Sequence, residues 1–144
     1  MRSEQAFLKW AVLLYALGLG LHTADHLRRG LDVLTPEVQW LGNLSTVLGV
    51  AAVVLVVTGH RLGPIVAAVA GVPVAVGVAG VHLLPRWSAF SDAFPGTHGT
   101  GVTGFSWFVV SVEIVGAFAM GVAAIAVLRD GKRAAQTSAR SAYP

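Results

Sequence analysis

Four runs of about twenty apolar residues, separated by short polar breaks, govern what this chain can fold into. They cover residues 7–27, 36–58, 64–84 and 105–128. A helix needs about 20 residues to cross the hydrocarbon core of a bilayer, and each run meets that length. No water is available there to satisfy backbone N–H and C=O groups, so each run must close its own hydrogen bonds as a helix. The expected fold is therefore an all-α integral membrane protein, a bundle of four transmembrane helices within residues 1–128. Of the 144 residues 55% are hydrophobic and 12% charged, about half the charged fraction of a soluble domain.

The ends of the runs carry recognisable punctuation. Thr35-Pro36-Glu37 reads as an N-cap, a proline at the first helical position and an acid in the first turn. Gly59 follows the second run, Gly63-Pro64 opens the third and Pro85 closes it. Pro73, inside the third run, is expected to kink it by leaving the Val69 carbonyl without a donor. The first run reads as a retained helix and not a cleaved leader, because His22-Thr23-Ala24-Asp25 is a poor cleavage context.

Lysine and arginine set the expected orientation. The side holding both termini carries Arg2, Lys9, Arg61, Arg129, Lys132, Arg133 and Arg140, seven cations against three (Arg28, Arg29 and Arg86) on the other. Both termini are therefore expected in the cytoplasm, with the plasma membrane as location and the lipid bilayer as partner. Residues 129–144 read as a basic, disordered cytoplasmic tail. The basic residues sit at segment ends and form no patch with aromatics, so the sequence pI near 10 reflects topology and not nucleic-acid binding. Absence of cysteine excludes disulfides, thiolate metal sites and thiol nucleophiles. Trp10, Trp40, Trp87 and Trp107 sit close to the expected interfaces, as an aromatic belt does.

Two pairs of stretches resemble one another. The segment ending at His22 is similar to the one ending at His82, and Gly49-Val50-Ala51-Ala52-Val53 is similar to Gly121-Val122-Ala123-Ala124-Ile125. A helical hairpin used twice would produce this pattern and would make His22 and His82 equivalent.

The polar residues are not spread evenly along the runs. His22, Asp25 and His26 lie at the outer end of the first, Asn43, Ser45 and Thr46 in the outer part of the second, and His82 near the outer end of the third. Glu113 lies about 12 Å inside the fourth at 1.5 Å per residue. The inner stretches of the second, third and fourth runs, 49–57, 65–76 and 114–128, hold no ionisable side chain. Ionisable groups are costly in a bilayer and mark sites of function. The pattern predicts a pocket open outward and sealed from the cytoplasm.

The i, i+3, i+4 spacing of His22, Asp25 and His26 predicts three donors on one helix face. With His82 and Glu113 they make a candidate metal site, and histidine plus carboxylate donors suit Zn²⁺, Cu²⁺ or iron. Gly18, Gly20, Gly77, Gly80, Gly104 and Gly116 are candidates for close helix approach. Arg28 and Arg29 lie on the side where cations are disfavoured, and Asp25, Asp32 or Glu37 are the expected partners. The loop 85–104 is long for a helical hairpin. Its Trp87, Phe90 and Phe94 are expected on the membrane surface, with His98 able to close over the pocket.

Three functions fit these residues. The leading one is a small membrane protein with an outward-facing His/Asp/Glu pocket that binds a transition metal, either for catalysis or for holding and delivering it. An accessory transmembrane subunit of a larger membrane enzyme or respiratory complex, or a homo-oligomer, would use the glycine faces to pack on partners. A single-haem electron-transfer subunit would use His22 and His82 as the two axial ligands of haem b. No nucleotide loop, nucleophile elbow or zinc-protease signature is present.

Overall fold

The computed structural model describes residues 2–96 and 100–141. It is all-helical, with α1 (Arg2–Arg29), α2 (Pro36–Val57), α3 (Gly63–His82) and α4 (Gly104–Ser141), and a short 3-10 turn at Leu31–Val33. All four helices are long and apolar enough to cross a membrane, which points to a membrane location. The ends of α2 and the start of α3 fall where the punctuation placed them. Thr35 caps α2, its hydroxyl accepting the Val38 N–H at 3.3 Å. Gly30 and Gly59 follow α1 and α2 with φ of 90° and 69°, backbone that only glycine adopts without strain. Pro73 lies inside α3, which is helical from Gly63 to His82.

The boundary expected near residue 128 is absent, and α4 continues in helical conformation to Ser141. The added segment contains no proline and is rich in alanine and arginine, both good helix formers. His98 lies outside the described residues.

Small residues set the helix spacing. A Cβ on Gly18 of α1 would stand 2.6 Å from the Glu113 backbone of α4, and one on Gly116 would stand 2.7 Å from the Tyr15 backbone. On the other side of α4, Gly71 of α3 meets Gly121 in the same way, a Cβ there falling 2.5 Å from the Gly121 Cα. Backbone contact this close requires glycine, and it packs α4 tightly against both α1 and α3. Of the glycines expected at interfaces, Gly18 and Gly116 fill that role, while Gly20, Gly77, Gly80 and Gly104 have open space around them.

The bundle is small inside and large outside. Ala52, Ala67, Ala117 and Ala124 are fully buried with Val12, Tyr15 and Met120, whereas Trp10, Val69, Val76, Phe108 and Phe118 point outward. Large apolar groups turned away from the core fit a lipid surround, where they cost nothing to expose. Helix α2 is the least buried of the four and α4 the most.

Among the described residues, the buried polar side chains are His22, Asp25, Arg29, His82, Ser91, Asp92, Ser106 and Glu113. All lie toward the end of the bundle opposite the termini. The half nearer the termini is closed by an apolar core that includes Leu8, Val12, Val56 and Ala124.

The connection from α3 to α4 folds onto that polar end. The Phe94 N–H donates to the His82 carbonyl at 2.9 Å. Trp87 Nε1 donates to the Gly80 carbonyl at 3.0 Å. Trp87 and Phe90 are exposed as expected, but Phe94 is buried. Its ring sits edge-on to Trp107 and tilted against His82, at centroid distances of 5.4 and 4.8 Å, so it plugs the bundle end and does not lie on the membrane surface.

Candidate metal centre

His22 and His26 are one turn apart on α1, and their ring centroids are 4.5 Å apart. His82, the last residue of α3, brings its ring to 4.8 Å from His22 and 5.6 Å from His26. Each of the three offers a ring nitrogen, and these nitrogens lie within 4.8 Å of one another. Two helices thus contribute three imidazoles to one point, all buried or half-buried.

Two of the three rings are held from behind by acids. His22 Nδ1 is hydrogen-bonded to the Glu113 carboxylate. In the tautomer that donates from Nδ1, the lone pair of His22 is on Nε2, which is buried with no hydrogen-bond partner. His82 Nδ1 lies 3.1 Å from the Asp92 carbonyl and 3.4 Å from its carboxylate. A ligating histidine is held in this way, its other nitrogen donated to a carboxylate or a backbone carbonyl that fixes the tautomer and raises basicity. His26 Nδ1 is also buried without a hydrogen bond, 3.9 Å from the Asp92 carboxylate.

Asp92 is the hub of this end. Arg29 holds it bidentately with two bonds of 2.7 Å, and the Arg29 guanidinium also stands 5.3 Å from the Phe94 ring centroid. Burial opposes ionisation of the Asp92 carboxyl. The hydrogen bonds from His82 and Arg29 outweigh it and hold the carboxyl well below the usual carboxylate range.

Asp92 was not among the residues singled out from the sequence. The signal was there: it is the lone acid of the loop 85–104, and Arg29 on the opposite connection needed a partner. Arg28 does pair with Asp25, at 2.8 and 3.0 Å, and reaches on to the Gly101 carbonyl at 2.8 Å. Both arginines are therefore paired with acids, Arg29 inside the fold and Arg28 at its exposed edge.

The structure redistributes the five expected ligands. His22, His26 and His82 converge. Asp25 does not join them; it faces Arg28, and Arg28 also reaches Ser106 at 3.3 Å. At 3.6 residues per turn Asp25 stands about 100° around α1 from His26, so when the histidines face α3 the aspartate faces α4. Glu113 is at the site, but its carboxylate engages the His22 nitrogen, a support and not one of the converging ligands. His22 and His82 meet edge to face, at an interplanar angle of 78°. That contact suits ligands of one small ion and leaves no slot between the rings for a porphyrin.

Beside the histidines a pocket of about 440 Å³ opens between α1, α2 and α3. Asn43, Ser45 and Thr46 of α2 line it, as do the three histidines and Glu113. The expected pocket at one end of the bundle is present, with polar groups of all four helices on its wall.

In comparisons with known proteins, the chain matches no family model and no curated protein, and no solved structure matches it.

Proposed function

We propose that this chain is a plasma-membrane protein that binds a divalent transition-metal ion through His22, His26 and His82, with both termini in the cytoplasm and the site facing out. The convergence of three buried imidazole nitrogens, two of them backed by acids, is the observation that carries this reading. Three nitrogens at 2.0–2.1 Å from a tetrahedral ion stand about 3.4 Å apart, a closure that small rotations of the rings supply. An all-imidazole set suits Zn²⁺, Cu²⁺ or Fe²⁺ and disfavours Mg²⁺ and Ca²⁺. Three protein ligands leave a coordination position free, and here it would open onto the pocket. That is the layout of a site that acts on or exchanges a ligand, whereas purely structural zinc takes four protein ligands.

The test is elemental analysis of the full-length protein purified from zinc-supplemented cells, beside His22→Ala and His82→Ala. The expected result is close to one metal ion per wild-type chain and loss of most of it in both variants. Equal metal content in all three proteins, or none in the wild type, would refute the reading.

A further inference from the structure

The pocket is more than an entrance to the histidines. Its deep end is apolar, walled by Leu19 of α1, Leu48 of α2 and Val74 of α3, while the three histidines stand in the half nearer the connections. On α3 its lining runs from Pro73 to His82, nine residues or about 13 Å along the axis. The volume of about 440 Å³ is in the range of small-molecule sites. Apart from Leu31 and Leu34 in the connection between α1 and α2, the lining lies on helices apolar enough to span a membrane, and α2, which forms one wall, is the least buried of them. The way in therefore borders lipid.

The polarity of the pocket runs as it does along a lipid in a leaflet. The deep end is walled by hydrocarbon, and the end nearer the connections sets the three histidines among Leu27, Leu31, Leu34 and Val38, with the α3 part of the lining running along the helix axis. Charge narrows the head group. A divalent ion on three neutral imidazoles carries two positive charges. Glu113 offsets one, and Asp92 is already matched by Arg29. One positive charge remains at the mouth of the free coordination position, and a monoanionic oxygen ligand balances it.

We infer that the pocket binds a single-chain carboxylate lipid, a fatty acid, with its carboxylate at the His22–His26–His82 centre and its chain against Leu19, Leu48 and Val74. The head-group contact rests on the metal reading above; the chain contact rests on the pocket alone.

The experiment uses the full-length protein in nanodiscs, loaded with zinc, and dodecanoate as the probe. Binding is followed by calorimetry and zinc content is measured on the same samples. Leu48→Trp and Leu44→Trp each put an indole into the pocket from a partly exposed position of α2, so at least one is expected to fold. Leu13→Trp, on the outer face of α1 and away from the pocket, is the control. Saturable dodecanoate binding is expected in the wild type and in the control. It should weaken at least tenfold in the two pocket variants with zinc content unchanged. Stripping zinc from the wild type should weaken dodecanoate more than dodecanol, which carries no charge.

Failures of the two readings separate cleanly. A zinc-loaded protein that binds no dodecanoate, or binds it equally in the pocket variants and the control, overturns the fatty-acid inference and leaves the metal centre standing. A wild type without zinc that still binds dodecanoate in a Leu48-dependent manner sinks the metal centre and supports the pocket as a lipid-chain site. Equal sensitivity of dodecanoate and dodecanol to zinc removal overturns the carboxylate contact.

Discussion

The carboxylate of Glu113, in α4, holds the Nδ1 atom of His22, in α1, across a helix interface where the two backbones come into contact. The contact depends on Gly18, one turn before His22, where the backbone of α4 passes too near for any side chain. Glu113 thereby fixes both the orientation of His22 and the nitrogen it presents. If His22 is a metal ligand, Glu113→Gln keeps an acceptor for Nδ1–H but removes the charge. The expected effect is a loss of metal affinity of about 10- to 100-fold with the site still formed. Chelator competition on the purified protein reads this directly, and an unchanged affinity would remove Glu113 from the centre.

The glycines make a separate prediction about stability. Gly18→Ala puts a methyl into the Glu113 backbone, and Gly71→Ala puts one into Gly121. Neither backbone can step aside without separating two helices. Each substitution should cost about 1–3 kcal/mol, the range for overpacking a well-filled interior. Gly20→Ala, with nothing within 4 Å, should be neutral or slightly stabilising. Unfolding by graded SDS in mixed micelles compares the three. Only Gly18→Ala should also weaken metal binding, because only that methyl displaces Glu113. Equal metal affinity in Gly18→Ala and Gly71→Ala would break the proposed link between helix spacing and the site.

The sequence made the bundle legible because the bilayer permits so few solutions. Twenty-residue apolar runs, Thr35-Pro36-Glu37 and the glycine stops mark α2 and α3 closely, while α1 starts before its run, at Arg2, and α4 continues past its own, to Ser141. His22, His26, His82 and Glu113 were legible as polar groups in costly places. Their partners were less so. Whether Asp25 or a residue of another helix completes the histidine pair depends on the rotation of α1 about its axis, which packing at Gly18 and Gly116 decides. Asp92 was hidden for a different reason: it lies in irregular chain, with no periodicity to announce which way it points. The Arg28-Arg29 pair on a disfavoured side was the trace it left in the sequence.

Asp92 should be the most costly residue of that loop to change. Asp92→Asn leaves Arg29 buried without its counter-ion and loosens the hold on His82. Removing one partner of a buried ion pair costs about 3–5 kcal/mol, and denaturation of the purified variant measures it. The pH dependence has a defined sign. The Asp92 carboxyl titrates below its ordinary value in the folded protein, so its contribution is complete above the unfolded carboxylate range of about 4 and is lost as pH falls through the folded value. Wild-type stability should therefore decline below about pH 4 more steeply than that of Asp92→Asn. Parallel curves would show that the Arg29–Asp92 pair does not carry this part of the fold's stability.

Topology gives the last test, and the lack of cysteine makes it clean. Seven lysines and arginines lie on the side of the termini. Of the three at the opposite end, Arg28 and Arg29 are paired internally with Asp25 and Asp92. The proposed orientation rests on that count of seven against three. Single-cysteine variants at Phe90, exposed in the connection from α3 to α4, and at Lys132, exposed on α4, report the two sides. With an impermeant maleimide on intact cells, Phe90→Cys should label and Lys132→Cys should label only after permeabilisation. The reverse pattern would put the histidine pocket on the cytoplasmic side, and any metal or lipid would then have to reach it from within the cell.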